Sequence, residues 1–66
     1  MKTQIRQLSN GKWVAEIQGW FSWRALDAVN PGYLWSRGDD YYRHCWVKDE
    51  TDAKVLIEDY RALKGE

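Results

Sequence analysis

The start of the chain alternates between apolar and polar residues in a way that predicts a β-hairpin. Two short runs, 4–8 and 12–18, flank Ser9-Asn10-Gly11, and Asn-Gly between alternating runs is a strong hairpin signal. A two-residue turn would mix apolar and charged residues on both faces, whereas a three-residue loop with a left-handed glycine pairs Ile5 with Ala15. We therefore predict the three-residue loop, which gives one apolar face made of Ile5, Trp13, Ala15 and Ile17.

The end of the chain has the periodicity of an amphipathic helix over residues 50–64. Asp49 or Thr51 can cap its first turn, which carries further negative charge, and Gly65 is suited to end it. One apolar stripe follows at helical spacing and is expected to pack against the sheet. Its members are Ala53, Leu56, Ile57, Tyr60 and Leu63.

The middle of the chain is less regular. An aromatic-rich run over 41–47 predicts a third strand, which leaves an insert at 19–40. Within the insert, residues 22–29 are compatible with a short capped helix ended by Asn30-Pro31-Gly32, and 33–35 with a short strand. Trp20 is predicted to be structural, because it continues the second strand.

Together these elements predict an α+β fold in the order β-β-β-α. Strands near 3–8, 12–19 and 41–47 form a three-stranded antiparallel sheet, packed on one C-terminal helix, with the aromatic-rich insert between strands 2 and 3. A length of 66 residues allows a single small domain, 1–66. One cysteine excludes an internal disulfide, so the aromatic residues are expected to supply most of the core.

Two motifs carry a resemblance to a known family. Gly11-Lys12-Trp13 opens the hairpin, and residues 47–56 run from an apolar residue through a capped acidic turn into a helix. Over 3–18 and 41–63 the chain resembles the amino-terminal arm-binding domain of phage and transposon tyrosine integrases, which implies three strands, one helix and DNA binding. The insert at 19–40 is longer than the family's hairpin, and the chain carries no catalytic recombinase domain.

Candidate catalytic and metal-binding residues are few. His44-Cys45 is the one adjacent nucleophile and base, but neighbouring side chains on a strand diverge, and we expect Cys45 to be a small core residue. Asp39-Asp40 next to Gly38 is typical of a solvated turn, and the five glycines form no phosphate-binding loop. We therefore expect a binding protein rather than an enzyme, with no cofactor, no metal and no small-molecule substrate.

Charge distribution leaves DNA binding open as an alternative. Residues 1–48 carry seven Lys or Arg and four acidic residues, a balance of +3, while residues 49–66 carry three and six, a balance of −3. A sheet face turned away from the helix would present amides and basic groups that can read base edges. The candidate DNA-binding residues on that face are Gln4, Arg6, Lys12 and Gln18.

The aromatic surplus favours a protein-binding surface instead. Three strands and one helix do not readily bury ten aromatic side chains, and exposed Trp, Tyr and Arg often anchor interfaces. The candidate binding residues are Trp23, Arg24, Tyr33, Trp35 and Arg37, and we expect at least one of Trp23 and Trp35 to be exposed.

The predicted function is therefore a small protein-binding module. Its partner is another protein or a second copy of the chain, as in a homodimer, with nucleic acid as the alternative. The resemblance and the small size suggest a phage or mobile-element accessory protein that inhibits a host or defence factor by occlusion. No apolar run approaches the roughly 20 residues of a membrane span, so we expect no membrane partner and a cytoplasmic location.

Overall fold

The fold is α+β, with a four-stranded antiparallel sheet and one C-terminal helix. The structure, a computed structural model, describes residues 1–36 and 40–65. Its elements are strands β1 (Thr3–Gln7), β2 (Trp13–Gln18), β3 (Trp23–Leu26) and β4 (Leu34–Ser36), a short 3-10 helix (Arg43–Cys45), and helix α1 (Glu50–Leu63). The strand order is β1-β2-β3-β4, so each strand pairs with the next along the chain. The predicted fold class is confirmed, while the predicted number of strands is wrong.

The first hairpin has the predicted register. Ile5 lies opposite Ala15 in an antiparallel ladder. The loop is closed by the Leu8 N–H, which donates to the carbonyl of Lys12 at 2.7 Å, and Gly11 has φ 86°. Only glycine enters that left-handed region without a steric cost, so the glycine fixes the three-residue loop and with it the register.

A second hairpin replaces the predicted helix over 22–29. β2 turns directly into β3 through a two-residue turn, in which the Gly19 N–H donates to the Ser22 carbonyl at 2.7 Å. The two central residues of the turn are Trp20 and Phe21 rather than the Asn or Gly typical of such turns, which is why the pattern does not predict it. The predicted short strand at 33–35 is present one residue later, as β4.

The predicted third strand over 41–47 is wrong. Tyr41 has φ 56°, outside the strand region, and a 3-10 helix follows at once. One isolated bridge, between Trp13 and Val47, is all that remains of the expected pairing. Residues 40–47, here called the covering segment, lie instead across the face of the sheet opposite α1.

Helix α1 packs on the other face, here called the helix face. Its N-terminus is capped by Asp49, whose carboxylate accepts from the Asp52 N–H at 2.8 Å, and Gly65 with φ 79° follows its end, both as predicted. Ala15, Ile17, Leu26, Ala53 and Ile57 form the core between helix and sheet, with Leu56 and Tyr60 packed against it. Leu63 departs from the predicted stripe, because it lies beyond the sheet and is exposed.

A second apolar cluster lies under the covering segment. Leu8, Val14, Ala25 and Cys45 are buried there, and Trp35, Tyr41 and Trp46 pack against them. The prediction that Cys45 is a core residue is confirmed. The sheet is therefore covered on both faces, which explains how a small chain shelters so many aromatic side chains. Among the described residues, no helix is long and apolar enough to cross a membrane.

Candidate functional site

The sheet face expected to meet solvent holds a buried carboxylate. Glu16 is 0% exposed. Its carboxylate accepts from Gln4 Nε2 at 2.8 Å, from Arg6 Nε at 3.1 Å and from the Tyr41 hydroxyl at 2.6 Å. Burial alone would raise the pKa of Glu16, but the hydrogen bonds from Arg6, Tyr41 and Gln4 outweigh it and lower the pKa.

This network occupies two of the four candidate DNA-binding residues. Gln4 and Arg6 are half-buried and bonded to Glu16, so turning either toward a nucleic acid would leave a buried charge with fewer partners. Lys12 and Gln18 are exposed but lie at opposite ends of β2. The structure thus does not gather the four residues into one open surface.

A second buried carboxylate organises the loop between β3 and β4. Asp27 is 3% exposed and accepts from the backbone N–H groups of Val29 and Asn30, each at 2.7 Å, and from Trp35 Nε1 at 2.8 Å. His44 Nδ1 lies 3.6 Å from the same carboxylate. Burial alone would raise the pKa of Asp27, but the donated hydrogen bonds prevail and lower it to about 2.

Above Asp27 lies a row of contacting rings, here called the aromatic ladder: Tyr33, Trp35, Tyr42 and His44. Tyr33 and Trp35 are 5.1 Å apart, Trp35 stacks on Tyr42 at 5.1 Å, and Tyr42 meets His44 edge-on at 4.7 Å. These spacings are those of mutually stabilising aromatic pairs. Trp35 and His44 are half-buried in the ladder, whereas Tyr33 and Tyr42 at its outer side remain exposed. The ladder joins β4 to the covering segment.

The candidate protein-binding residues are divided between the two faces. Tyr33 and Trp35 are brought together in the ladder, and Trp23 lies on their side of the sheet by strand alternation. Trp23 and Trp35 are both half-buried rather than exposed. Arg24 is exposed on the helix face, opposite Ser36. Arg37 lies outside the described residues.

The most exposed aromatic side chains are at the second hairpin turn, here called the hairpin tip (Gly19–Ser22). Trp20 is 96% exposed and Phe21 is 97% exposed. The prediction that Trp20 is structural is wrong, because the strand ends at Gln18 and the chain turns before Trp20 can reach either core. The sequence signal that could have found the tip is Gly19, a turn-forming residue directly after the alternating run of β2.

A groove of about 280 Å³ lies next to the tip on the helix face. Ile17, Leu34 and Tyr60 form its apolar floor, and Arg24 lies at its side. Because the tip projects beyond this groove, a partner surface can contact both rings and the groove together.

His44 and Cys45, the adjacent base and nucleophile, point to different surroundings, as their side chains were predicted to do. Cys45 is buried, and burial together with the charge of Asp27 raises the pKa of its thiol to about 12. His44 instead faces Tyr42 and Asp27. Within residues 1–36 and 40–65, no three His, Cys, Asp or Glu side chains are placed to hold a metal ion.

Comparisons with protein-family models, with curated proteins and with solved structures find no match to this chain.

Proposed function

We propose that this chain is a non-enzymatic protein-binding module whose anchor is the hairpin tip. The observation that carries the proposal is the near-complete exposure of two adjacent large aromatic side chains, Trp20 and Phe21. Isolated exposed apolar residues are ordinary on protein surfaces, but two exposed aromatic rings at one projecting turn form a concentrated apolar feature. Trp in particular is enriched among the residues that dominate interface energies.

The tip is held ready for binding by its own backbone. The bond between Gly19 and Ser22 closes the turn, and Gln18 pairs with Trp23 immediately below it. Gly19 itself is held closely, since a Cβ there would lie 3.1 Å from the Ser22 carbonyl oxygen. A turn fixed in this way loses little backbone freedom on binding, so more of the aromatic burial is retained as affinity.

The mode of action that we propose is occlusion. A module anchored by two rings and a shallow groove blocks whatever the partner's contacted surface would otherwise bind, and it requires no chemical step. We extend the proposal to a phage or mobile-element accessory role, with a host or defence factor as the partner. Its support is limited to the Gly11-Lys12-Trp13 hairpin and the capped start of α1, since the third strand that the integrase resemblance implies over 41–47 is not present.

The test begins with capture of the partner from the native host and ends with the purified partner in a calorimetric titration. We expect Trp20→Ala and Phe21→Ala each to weaken binding by about 2 kcal/mol or more, roughly 30-fold in Kd. Both variants should keep the melting temperature of the parent chain, because neither ring packs in a core.

Val29→Ala is the matched control, since Val29 is apolar and 62% exposed but lies in another loop. Its Kd should equal that of the parent chain. Undiminished binding by both tip variants would refute the anchor. Duplex binding at low salt that weakens steeply as salt rises would favour the DNA-binding alternative.

A further inference from the structure

Strand β1 has an outer edge whose backbone groups are available for pairing. The hydrogen bonds from Leu8 N to the Lys12 carbonyl at 2.7 Å and from Gln18 N to the Lys2 carbonyl at 3.0 Å show that even-numbered residues of the first strand face β2. Because bonding residues alternate, the N–H and C=O groups of Thr3, Ile5 and Gln7 face outward. Within the described parts of the chain, no strand pairs with this edge.

This edge lacks most of the usual protection against strand pairing. β1 is five residues long, unbroken in register and without proline, and its one charged group, that of Arg6, is held by Glu16 on the face opposite α1. Natural edge strands are commonly shortened, bulged, or interrupted by proline or charged residues. The opposite edge, β4, has only three residues. β1 is therefore the edge at which a further strand can be added.

The charges on the flank of α1 next to β1 indicate that the added strand is β1 of a second copy of this chain. Four exposed side chains of α1 line a groove of about 490 Å³ between the helix and β1, and along the helix their charges alternate in sign: Glu50, Lys54, Glu58 and Arg61. Among the described residues, no ion pair within 4.0 Å involves any of them. A second copy in antiparallel orientation places Glu50 next to Arg61 of the partner copy and Lys54 next to Glu58 of the partner copy. The flank is therefore complementary in charge to itself.

The helix and strand registers agree on one two-fold axis. Arg61 lies beside Thr3, with Nη2 3.5 Å from the Thr3 hydroxyl oxygen. The midpoint between Glu50 and Arg61 lies about 8 Å from Arg61 along the helix, and Ile5 lies about 7 Å from Thr3 along the strand. A two-fold axis that pairs Glu50 with Arg61 therefore passes close to Ile5. It pairs Thr3 with Gln7 and places Ile5 opposite its own copy, with the outward groups of all three in bonding positions.

Helix spacing is also compatible with this axis. α1 packs on β2 and β1, so it lies above the space between those two strands. With neighbouring strands about 4.8 Å apart, the two symmetry-related helices would be about 10 Å apart, within the usual range for packed helices. The half-buried Ile5 side chains of the two copies would meet beneath them.

From these observations we propose that the chain forms a two-fold homodimer through the outer edge of β1 and the adjoining flank of α1. The four strands of each copy then form one continuous sheet. This surface is separate from the hairpin tip, so both tips of the dimer remain free for a partner.

Sedimentation equilibrium of the full chain tests the proposal. We expect the mass to rise with concentration from 7.9 kDa to twice that value. Lys54→Glu and Glu58→Lys should each weaken self-association at least about tenfold, because each brings like charges together across the axis. The double variant, with the two charges exchanged, should recover dimerisation, and the two single variants mixed in equal amounts should associate with each other.

Two further variants separate this surface from general effects. Asp59→Lys changes a neighbouring exposed helix charge that lines the groove beside Pro31, and it should dimerise like the parent chain. Gln7→Pro removes one outward N–H without removing a ladder bond to β2. This variant should have the circular dichroism spectrum of the folded parent chain and should stay monomeric in sedimentation equilibrium. A parent chain that stays at 7.9 kDa at millimolar concentration would overturn the proposal. So would self-association that neither single charge reversal weakens, or that Trp20→Ala abolishes.

Discussion

Replacing Asp27 by asparagine tests how far a buried carboxylate holds the second face of the sheet together. The carboxylate accepts from two backbone N–H groups in its own loop and from Trp35 Nε1, and His44 lies beside it. Asparagine keeps the shape of the side chain and one acceptor oxygen. Its NH2 group, however, is a donor, so it cannot accept the N–H groups that now donate to the second carboxylate oxygen.

The expected loss can be worked from the pKa of Asp27. A shift from 3.8 to about 2 corresponds to about 2 kcal/mol in favour of the ionised folded state. The hydrogen bond from Trp35 is one of the causes of that shift and is already contained in this figure. Turning the new NH2 group toward buried N–H donors adds about 1 kcal/mol. We therefore expect Asp27→Asn to lower the free energy of unfolding by about 2–4 kcal/mol at pH 7, a large fraction of the stability of so small a domain.

The pH dependence has a definite sign. The folded pKa lies below the unfolded one, so the contribution of the Asp27 charge is fully present above about pH 4 and is lost as the pH falls through about 2. Urea unfolding followed by tryptophan fluorescence at pH 7 and at low pH measures this. The difference between the parent chain and Asp27→Asn should narrow at low pH.

Asp59→Asn is the control, because Asp59 is exposed on α1, and it should match the parent chain at both pH values. A loss below about 0.5 kcal/mol for Asp27→Asn at pH 7 would show that the loop and ladder hold without the charge. A difference independent of pH would assign the loss to packing rather than to ionisation.

Three further substitutions, and Gly11→Ala as a control for one of them, probe the other elements by urea unfolding. Glu16→Gln removes the buried charge that Arg6 pairs with, and it should cost about 1–3 kcal/mol; no loss would show that the charge is dispensable. Ile57→Ala empties the centre of the helix-face core and should cost about 2–5 kcal/mol; a smaller loss would mean that the core closes around the gap. Gly32→Ala should cost about 1 kcal/mol or more, since φ is +87° and the new Cβ would lie 3.1 Å from a Leu63 methyl carbon. Gly11→Ala has the same φ problem with open space around it, so it should cost less, and equal losses would refute the steric part.

The first hairpin and helix α1 could be predicted because their structure depends mainly on residues close together in the sequence. The first hairpin follows from Asn10-Gly11 and from strict alternation, because a shift of one residue would move its apolar side chains to the wrong face. Helix α1 follows from its apolar spacing and from Asp49, which places one carboxylate at the free N–H groups of the first turn. The residues of these elements need little information from the rest of the chain.

The middle of the chain could not be predicted in the same way. Residues 41–47 have strand-like composition, but strand propensity depends on what the side chains pack against. Here Tyr41 bonds to Glu16, and the Trp46 Nε1–H donates to the Asp40 carbonyl at 2.7 Å, so the segment lies across the sheet rather than beside it. The hairpin tip was missed because its turn contains two aromatic residues.

The two buried carboxylates explain why apolar periodicity identifies one face of this sheet and misses the other. On the helix face the contacts are apolar and periodic, so the pattern reports them directly. On the second face the covering segment is fixed by hydrogen bonds to buried acceptors. The Tyr41 hydroxyl donates to Glu16, Trp35 Nε1 of β4 donates to Asp27, and His44 lies beside Asp27.

Charged residues next to an alternating strand are assigned to solvent by default, yet Asp27 followed by Asn30 is a sequence signal for a buried carboxylate. An aspartate before a turn commonly accepts from the N–H groups two and three residues on, and that places its side chain inward over the loop. With both carboxylates placed inward, the tyrosines and tryptophans that donate to them or stack above them are held on the sheet, while the two rings of the hairpin tip stay exposed.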